Sequence, residues 1–250
     1  MIYDIETGLP IATPGEAPPD GAQPEARKPE KGRPVPRDEF TKRARPVEWV
    51  VAGRIAARGV TIVAGQPKRS FKTVQLLRLV ECVASGLPWI GHAASPRPAV
   101  FVGFEGGEDL IALRVTEVRD PDAELVQSHY FYGVDGYDWC IATLRRAIKL
   151  GRKWPALIAV DTLSQVLAIK GVDENDNMAV TNFLRDVDDL VTRTDTALVF
   201  SHHFAKYNFQ MRGASAISAL CNWCEITAAK TDAKKAVADH ADPSERLLRL

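Results

Sequence analysis

Lys72 and Thr73, side by side at the head of an apolar helical stretch, are the residues of this chain best suited to hold a phosphate. An ammonium can reach the outer oxygens of a polyphosphate, and a hydroxyl at the next position can ligate Mg²⁺. The helix start adds N–H groups with no intrahelical acceptor and the positive end of the helix dipole. A β-branched apolar run ends just before them at Gly65, and Gln66, Pro67, Lys68, Arg69, Ser70 and Phe71 make the connecting loop. The order strand, loop, helix is that of a phosphate-binding P-loop. Two features depart from the pattern G-x-x-x-x-G-K-[ST]. Phe71 replaces the second glycine, and Gly65 lies one residue further from the lysine than the pattern asks.

Other reactive side chains follow apolar runs. Asp161 comes after the run 156–160 and has the place of a Walker B acid, which holds Mg²⁺ opposite the Thr73 hydroxyl. The plainer reading of such an aspartate is a cap on the next turn, which Thr162 and Ser164 would also suit. Glu105 follows the run 99–104 and precedes Gly106 and Gly107, whose lack of side chains lets a ligand approach closely. It is the candidate general base for a water. Glu108 and Asp109 read instead as acids in the first turn of a helix. His202 and His203 end the run 196–200 and are candidates to contact a terminal phosphate or the attacking water. Cys221 and Cys224 form a C-x-x-C, but adjacent histidines point opposite ways on an extended chain, so zinc is a poor reading. The segment 204–216 interleaves aromatics with Lys206 and Arg212. Lys206 and Tyr207 suit contact with a nucleic-acid backbone and bases. Arg212 suits a guanidinium that neutralises charge in a transition state, in trans.

The elements that must position these groups are legible from periodicity. Apolar runs at 60–64, 99–104, 156–160 and 196–200, with a weaker one at 129–134, read as strands. Helical patterns lie at 72–85, 139–150 and 177–194, the last with Asn175 or Asp176 as N-cap. Continuous apolar strands alternating with helices predict an α/β fold, a mainly parallel twisted sheet covered on both faces. In such sheets ligands bind at the carboxyl ends of the strands, where the reactive residues stand.

Bulk composition narrows the rest. Residues 1–46 hold nine of the sixteen prolines and few large apolar groups, so a disordered N-terminal tail is expected there, with one α/β domain over 47–250. Hydrophobic residues make up 46% of the chain, enough for a substantial core, and the formal net charge is zero, which leaves no global footprint for nucleic acid. No apolar run approaches the roughly 18 residues of a membrane span, and no leader is visible at Met1. Four cysteines do not make a disulfide framework, so a cytoplasmic protein with reduced thiols is expected.

Taken in order, these motifs resemble the RecA-like P-loop ATPases of the RepA-type replicative helicase group, known in phages and plasmids as AAA family ATPases. The resemblance runs from about residue 46 to 227. It rests on the lead-in Pro46 to Trp49, the loop with Pro67, Lys68, Lys72 and Thr73, and the stretch Val102 to Gly106 with Glu105. It continues through Val160 to Leu163, Gly171 to Asn175, Ser201 to Lys206, and Arg212 to Ile217. It implies ATP and Mg²⁺ as ligands, with Gly65 to Thr73 around the phosphates, Thr73 and Asp161 at the metal, and Glu105 activating water. His202 or His203 would sense the terminal phosphate, and Arg212 would reach a neighbouring protomer. It further implies a homo-oligomeric ring, commonly a hexamer, around single-stranded DNA, with residues 1–46 available to a replication partner. Leu247 to Leu250 reads like a strand just begun, as in a domain truncated at its C-terminal end. Two other functions fit the residues: a ring or adaptor that binds nucleotide weakly without being a motor, and a small-molecule P-loop kinase, which usually carries an arginine-rich lid.

Overall fold

The computed structural model describes residues 34–42, 46–66, 71–118, 128–204, 212–220, 223–227 and 246–248. The chain divides into two units, Met1–Val47 and Glu48–Leu250. In the first, a single-turn helix α1 (Arg37–Thr41) starts after Pro36, which cannot donate a backbone hydrogen bond, and buries no residue. The remainder of the expected tail, 1–33 and 43–45, lies outside the described residues.

The second unit opens with an antiparallel pair, β1 (Trp49–Val51) and β2 (Ile55–Ala56). Then come β3 (Gly59–Gly65), α2 (Lys72–Ser85), β4 (Ala99–Gly103), α3 (Glu108–Val118), β5 (Ser128–Tyr132) and α4 (Val134–Lys149). The chain continues through β6 (Leu157–Asp161), α5 (Leu163–Ile169), α6 (Asn177–Thr194), β7 (Ala197–His203), α7 (Ala216–Leu220), β8 (Trp223–Thr227) and β9 (Arg246–Leu248).

Every residue of β3, β4 and β6 is buried, as the unbroken apolar runs require of strands covered on both faces. The seven strands order β5-β4-β6-β7-β3-β8-β9, and each neighbouring pair is parallel. Helices α2 and α3 pack together on one layer, α2 lying against β4 and β6; α4 and α6 pack together on the other, α6 against β3. The core gathers Leu76, Leu79, Val80 and Val83 of α2 with Phe101, Leu157 and Val199 of the sheet. Burying each such side chain contributes about 1.5–3 kcal/mol. Helix α2 ends where Gly86 takes φ +71 and donates back to Val83, a left-handed stop that a side chain would strain. No described helix is long and apolar enough to cross a membrane.

The chain differs from its periodicity in several places. The weaker strand expected over 129–134 ends at Tyr132, because Gly133 already stands at the start of α4. Strand β7 runs three residues past the expected end, because its pairing with β3 continues to Gly65 opposite His203. Helix α4 begins at Val134, five residues before the expected 139. Its extra turn buries Gly136 against Phe131 of β5, and buries Tyr137 beneath Lys170. Helix α5 was not legible as a helix: Thr162, expected at most to turn the chain, caps it by accepting from the Gln165 amide. Of the two candidate caps for α6, Asp176 is the one whose carboxylate accepts from Met178 and Ala179.

Candidate active site

Strand β7 separates β6 from β3, so an acid at the end of β6 can face the start of α2 only across the end of β7. That is the arrangement found. Asp161 closes β6, is 2% exposed, and takes the Thr73 hydroxyl on Oδ2 at 2.5 Å. Its other oxygen, Oδ1, accepts a short bond from the Ser201 hydroxyl of the intervening strand. A carboxylate this deep is tolerated because charge-assisted hydrogen bonds replace its water. The peptide that follows it, to Thr162, is cis.

Lys72 is 6% exposed at the head of α2, and its Nζ donates to the carbonyls of Gly65 at 3.2 Å and Gln66 at 3.1 Å. Burial lowers its pKa from 10.5 to about 8, against the opposing pull of the Asp161 and Glu105 carboxylates. It is therefore an ammonium at neutral pH, held back on its own loop carbonyls. Phe71 occupies the N-cap of α2 without capping it through a side chain, and its φ of 49° is left-handed. A glycine adopts that conformation freely, and a bulky residue there is strained by about 1–3 kcal/mol.

A cavity of about 360 Å³ collects these groups at the carboxyl ends of the strands. Its wall includes Phe71, Lys72, Thr73, Glu105, Gly106 and Asp161. Glu105 is exposed, and its one described polar contact is the Thr162 hydroxyl at 3.5 Å. Gly106 and Gly107 turn the chain with φ of +90° and +79°, which brings α3 back over the cavity. Hard oxygen donors on Thr73 and Asp161, beside a space open to water, fit Mg²⁺, which keeps several waters and takes few protein ligands.

The two histidines part company, as alternation along a strand demands. His203 lines the cavity, and burial with the nearby Lys72 charge lowers its pKa to about 4, so it is neutral at pH 7. His202 is fully buried away from the cavity lining. Its Nε2 lies 2.8 Å from the Arg212 carbonyl, which can only accept, so Nε2 carries the proton. Its Nδ1 is 3.4 Å from the Ser164 hydroxyl. Arg212 does not line the cavity; its guanidinium grips Glu174 and Ser164.

Pro67, Lys68, Arg69, Ser70, Lys206, Tyr207 and Cys221 lie outside the described residues. Among the described residues no group of three His, Cys, Asp or Glu side chains is placed to hold a metal, and Cys82 and Cys140 are buried thiols in no disulfide.

Two cavity or near-cavity residues escaped the sequence reading. Arg114 lines the cavity from α3 and carries no hydrogen bond or ion pair with a described residue. The signal was its spacing of three from Ile111, the one buried residue of α3, which puts both on the sheet side. Glu174 pairs with Arg212 from 38 residues away, a contact no local pattern announces.

A parallel sheet sandwiched by helices, with a lysine–threonine helix head facing a strand-end aspartate across one strand, defines a RecA-like P-loop NTPase core. A family model described as an AAA domain matches residues 25–208, and the chain belongs to that family of nucleotide-binding ATPases. No curated protein matches the chain.

Proposed function

We propose that this protein hydrolyses ATP as a RecA-like motor of the RepA helicase type, working on single-stranded DNA in phage or plasmid replication. The observation that carries the reading is the Thr73 hydroxyl 2.5 Å from the Asp161 carboxylate, one residue from a buried ammonium and in a cavity that Glu105 also lines. A hydroxyl and a carboxylate so placed are the protein's share of a metal–triphosphate site.

Lys72 swings from the Gly65 and Gln66 carbonyls to the outer phosphates, and the first-turn N–H groups of α2 hold the remaining oxygens. Thr73 and Asp161 would hold Mg²⁺, which when bound would supply positive charge against the phosphates. Glu105 orients a water in line with the terminal phosphorus and accepts its proton, and the products are ADP and phosphate. His203, neutral and at the cavity wall, donates or accepts a hydrogen bond according to which product occupies it. Arg212 supplies charge to a neighbouring protomer's site once freed from Glu174, which makes a ring, commonly a hexamer, the working form. Lys206 and Tyr207, just before it in sequence, contact the DNA.

The test is turnover with and without single-stranded DNA, together with mass measured with and without ATP. Hydrolysis that DNA stimulates, and that Lys72→Ala and Glu105→Gln abolish, is expected. Nucleotide binding without turnover would instead support the adaptor reading. Turnover indifferent to DNA would remove the helicase assignment and leave the ATPase.

A further inference from the structure

We propose that the Phe71 ring is the nucleobase platform of this cavity: it stacks on the base and makes the site prefer a nucleoside triphosphate to bare triphosphate. The inference rests on reading the cavity as a nucleotide site.

Phe71 lines the cavity yet is 68% exposed, and among the described residues no aromatic ring packs against it. A large apolar ring offered to water at the edge of a charged site is surface that a flat ligand can cover. Its backbone is also in the left-handed region, φ 49°, at the position where a glycine would be free of strain. The strain and the exposure fall on the same residue, and neither serves the packing of α2, whose buried face begins elsewhere, with Lys72 and Gln75.

The cavity is divided by polarity. Lys72, Thr73, Asp161 and Glu105 form its charged part, which suits phosphates. Phe71 and Val74, three apart at the head of α2, form an apolar wall on one face of the helix. Phosphates drawn to the helix N-terminus leave the uncharged end of the ligand to lie against that wall. Every base has a π-face, so stacking there adds affinity with little selection among bases.

The experiment measures binding of ATP and of inorganic tripolyphosphate, each with Mg²⁺, to the full chain by calorimetry. The variants are Phe71→Asn, which tolerates the left-handed backbone without a ring, and Phe71→Trp, which keeps a ring. The wild type is expected to prefer ATP. Phe71→Asn should cut the ratio of ATP affinity to tripolyphosphate affinity by about tenfold or more, whatever it does to phosphate binding itself, and Phe71→Trp should keep the ratio. A preference that survives Phe71→Asn overturns the proposal and leaves the nucleotide site standing. A wild type that binds neither ligand removes the nucleotide reading itself, and the stacking role with it.

Discussion

Arg212 and Glu174 form a two-pronged ion pair, Nε to Oε1 at 2.5 Å and Nη2 to Oε2 at 3.0 Å, between segments 38 residues apart. The backbone joins in: the Ala214 amide donates to the Glu174 carbonyl at 2.7 Å. Gly213 between them has φ +87°, and a Cβ there would stand 2.7 Å from that carbonyl oxygen, so only glycine fits. The Arg212 amide in turn donates to the carbonyl of His203 at 3.0 Å. The cavity histidine and Arg212 are thus joined by one backbone hydrogen bond, though nine residues apart in sequence.

Glu174→Gln should loosen that grip. Burial alone would raise the Glu174 pKa, but hydrogen bonds from Arg212 and Ser164 outweigh it and hold the carboxylate ionised. A half-exposed pair of this kind is worth roughly 1 kcal/mol. Trypsin must take the Arg212 side chain from Glu174 before it cuts, so cleavage after Arg212 is expected to quicken about fivefold in the variant. Mass spectrometry of the fragments checks this against an unrelated site such as Arg185, whose rate should hold.

Nucleotide affinity should fall as pH rises through about 8, where Lys72 gives up its proton. A bound anion favours the ammonium, so binding takes up a proton above that pH and weakens by up to about tenfold per unit. Folding responds in the opposite sense. An unfolded lysine keeps its proton to 10.5, so between 8 and 10.5 the unfolded state binds more protons and stability from this group rises with pH. Calorimetric titration of ATP at pH 7, 8 and 9 tests the first claim; a flat profile contradicts it.

Ser201→Ala removes the donor on Asp161 Oδ1 from a fully buried position. The stranded oxygen should cost about 1–3 kcal/mol in urea unfolding. Thr73→Ala should weaken ATP binding only when Mg²⁺ is present, and Thr73→Ser should restore it, because the hydroxyl and not the methyl faces Asp161. Equal losses with and without Mg²⁺ would argue against a metal at this pair.

Gly136→Ala tests the packing of α4 on β5 away from the cavity. The added Cβ would lie 2.2 Å from Phe131 Cβ, an atom too near the backbone to swing aside. Overpacking of this kind destabilises by about 1–3 kcal/mol. A lowered melting temperature with unchanged ATP affinity is expected, and unchanged melting would show that β5 yields.

Sequence alone determined what local physics governs. Helix α2 starts and stops where the lysine–threonine head and Gly86 say it must, and α6 runs over the residues its apolar spacing marks. The strands β3, β4 and β6 follow from unbroken runs of Val, Ile, Ala and Phe, and a parallel sheet follows from their alternation with helices. Tertiary structure decided which reactive groups meet. Thr73 finds Asp161 88 residues away only because β7 inserts between β3 and β6, and that order is a property of the whole sheet. The same insertion carries His203 into the cavity and turns His202 from it, a choice set by register to a single residue. Glu174 was silent in the sequence, and Arg114 offered only its spacing from Ile111, because a charged residue on a helix or loop reads as solvated until a fold brings a cavity or a partner to it.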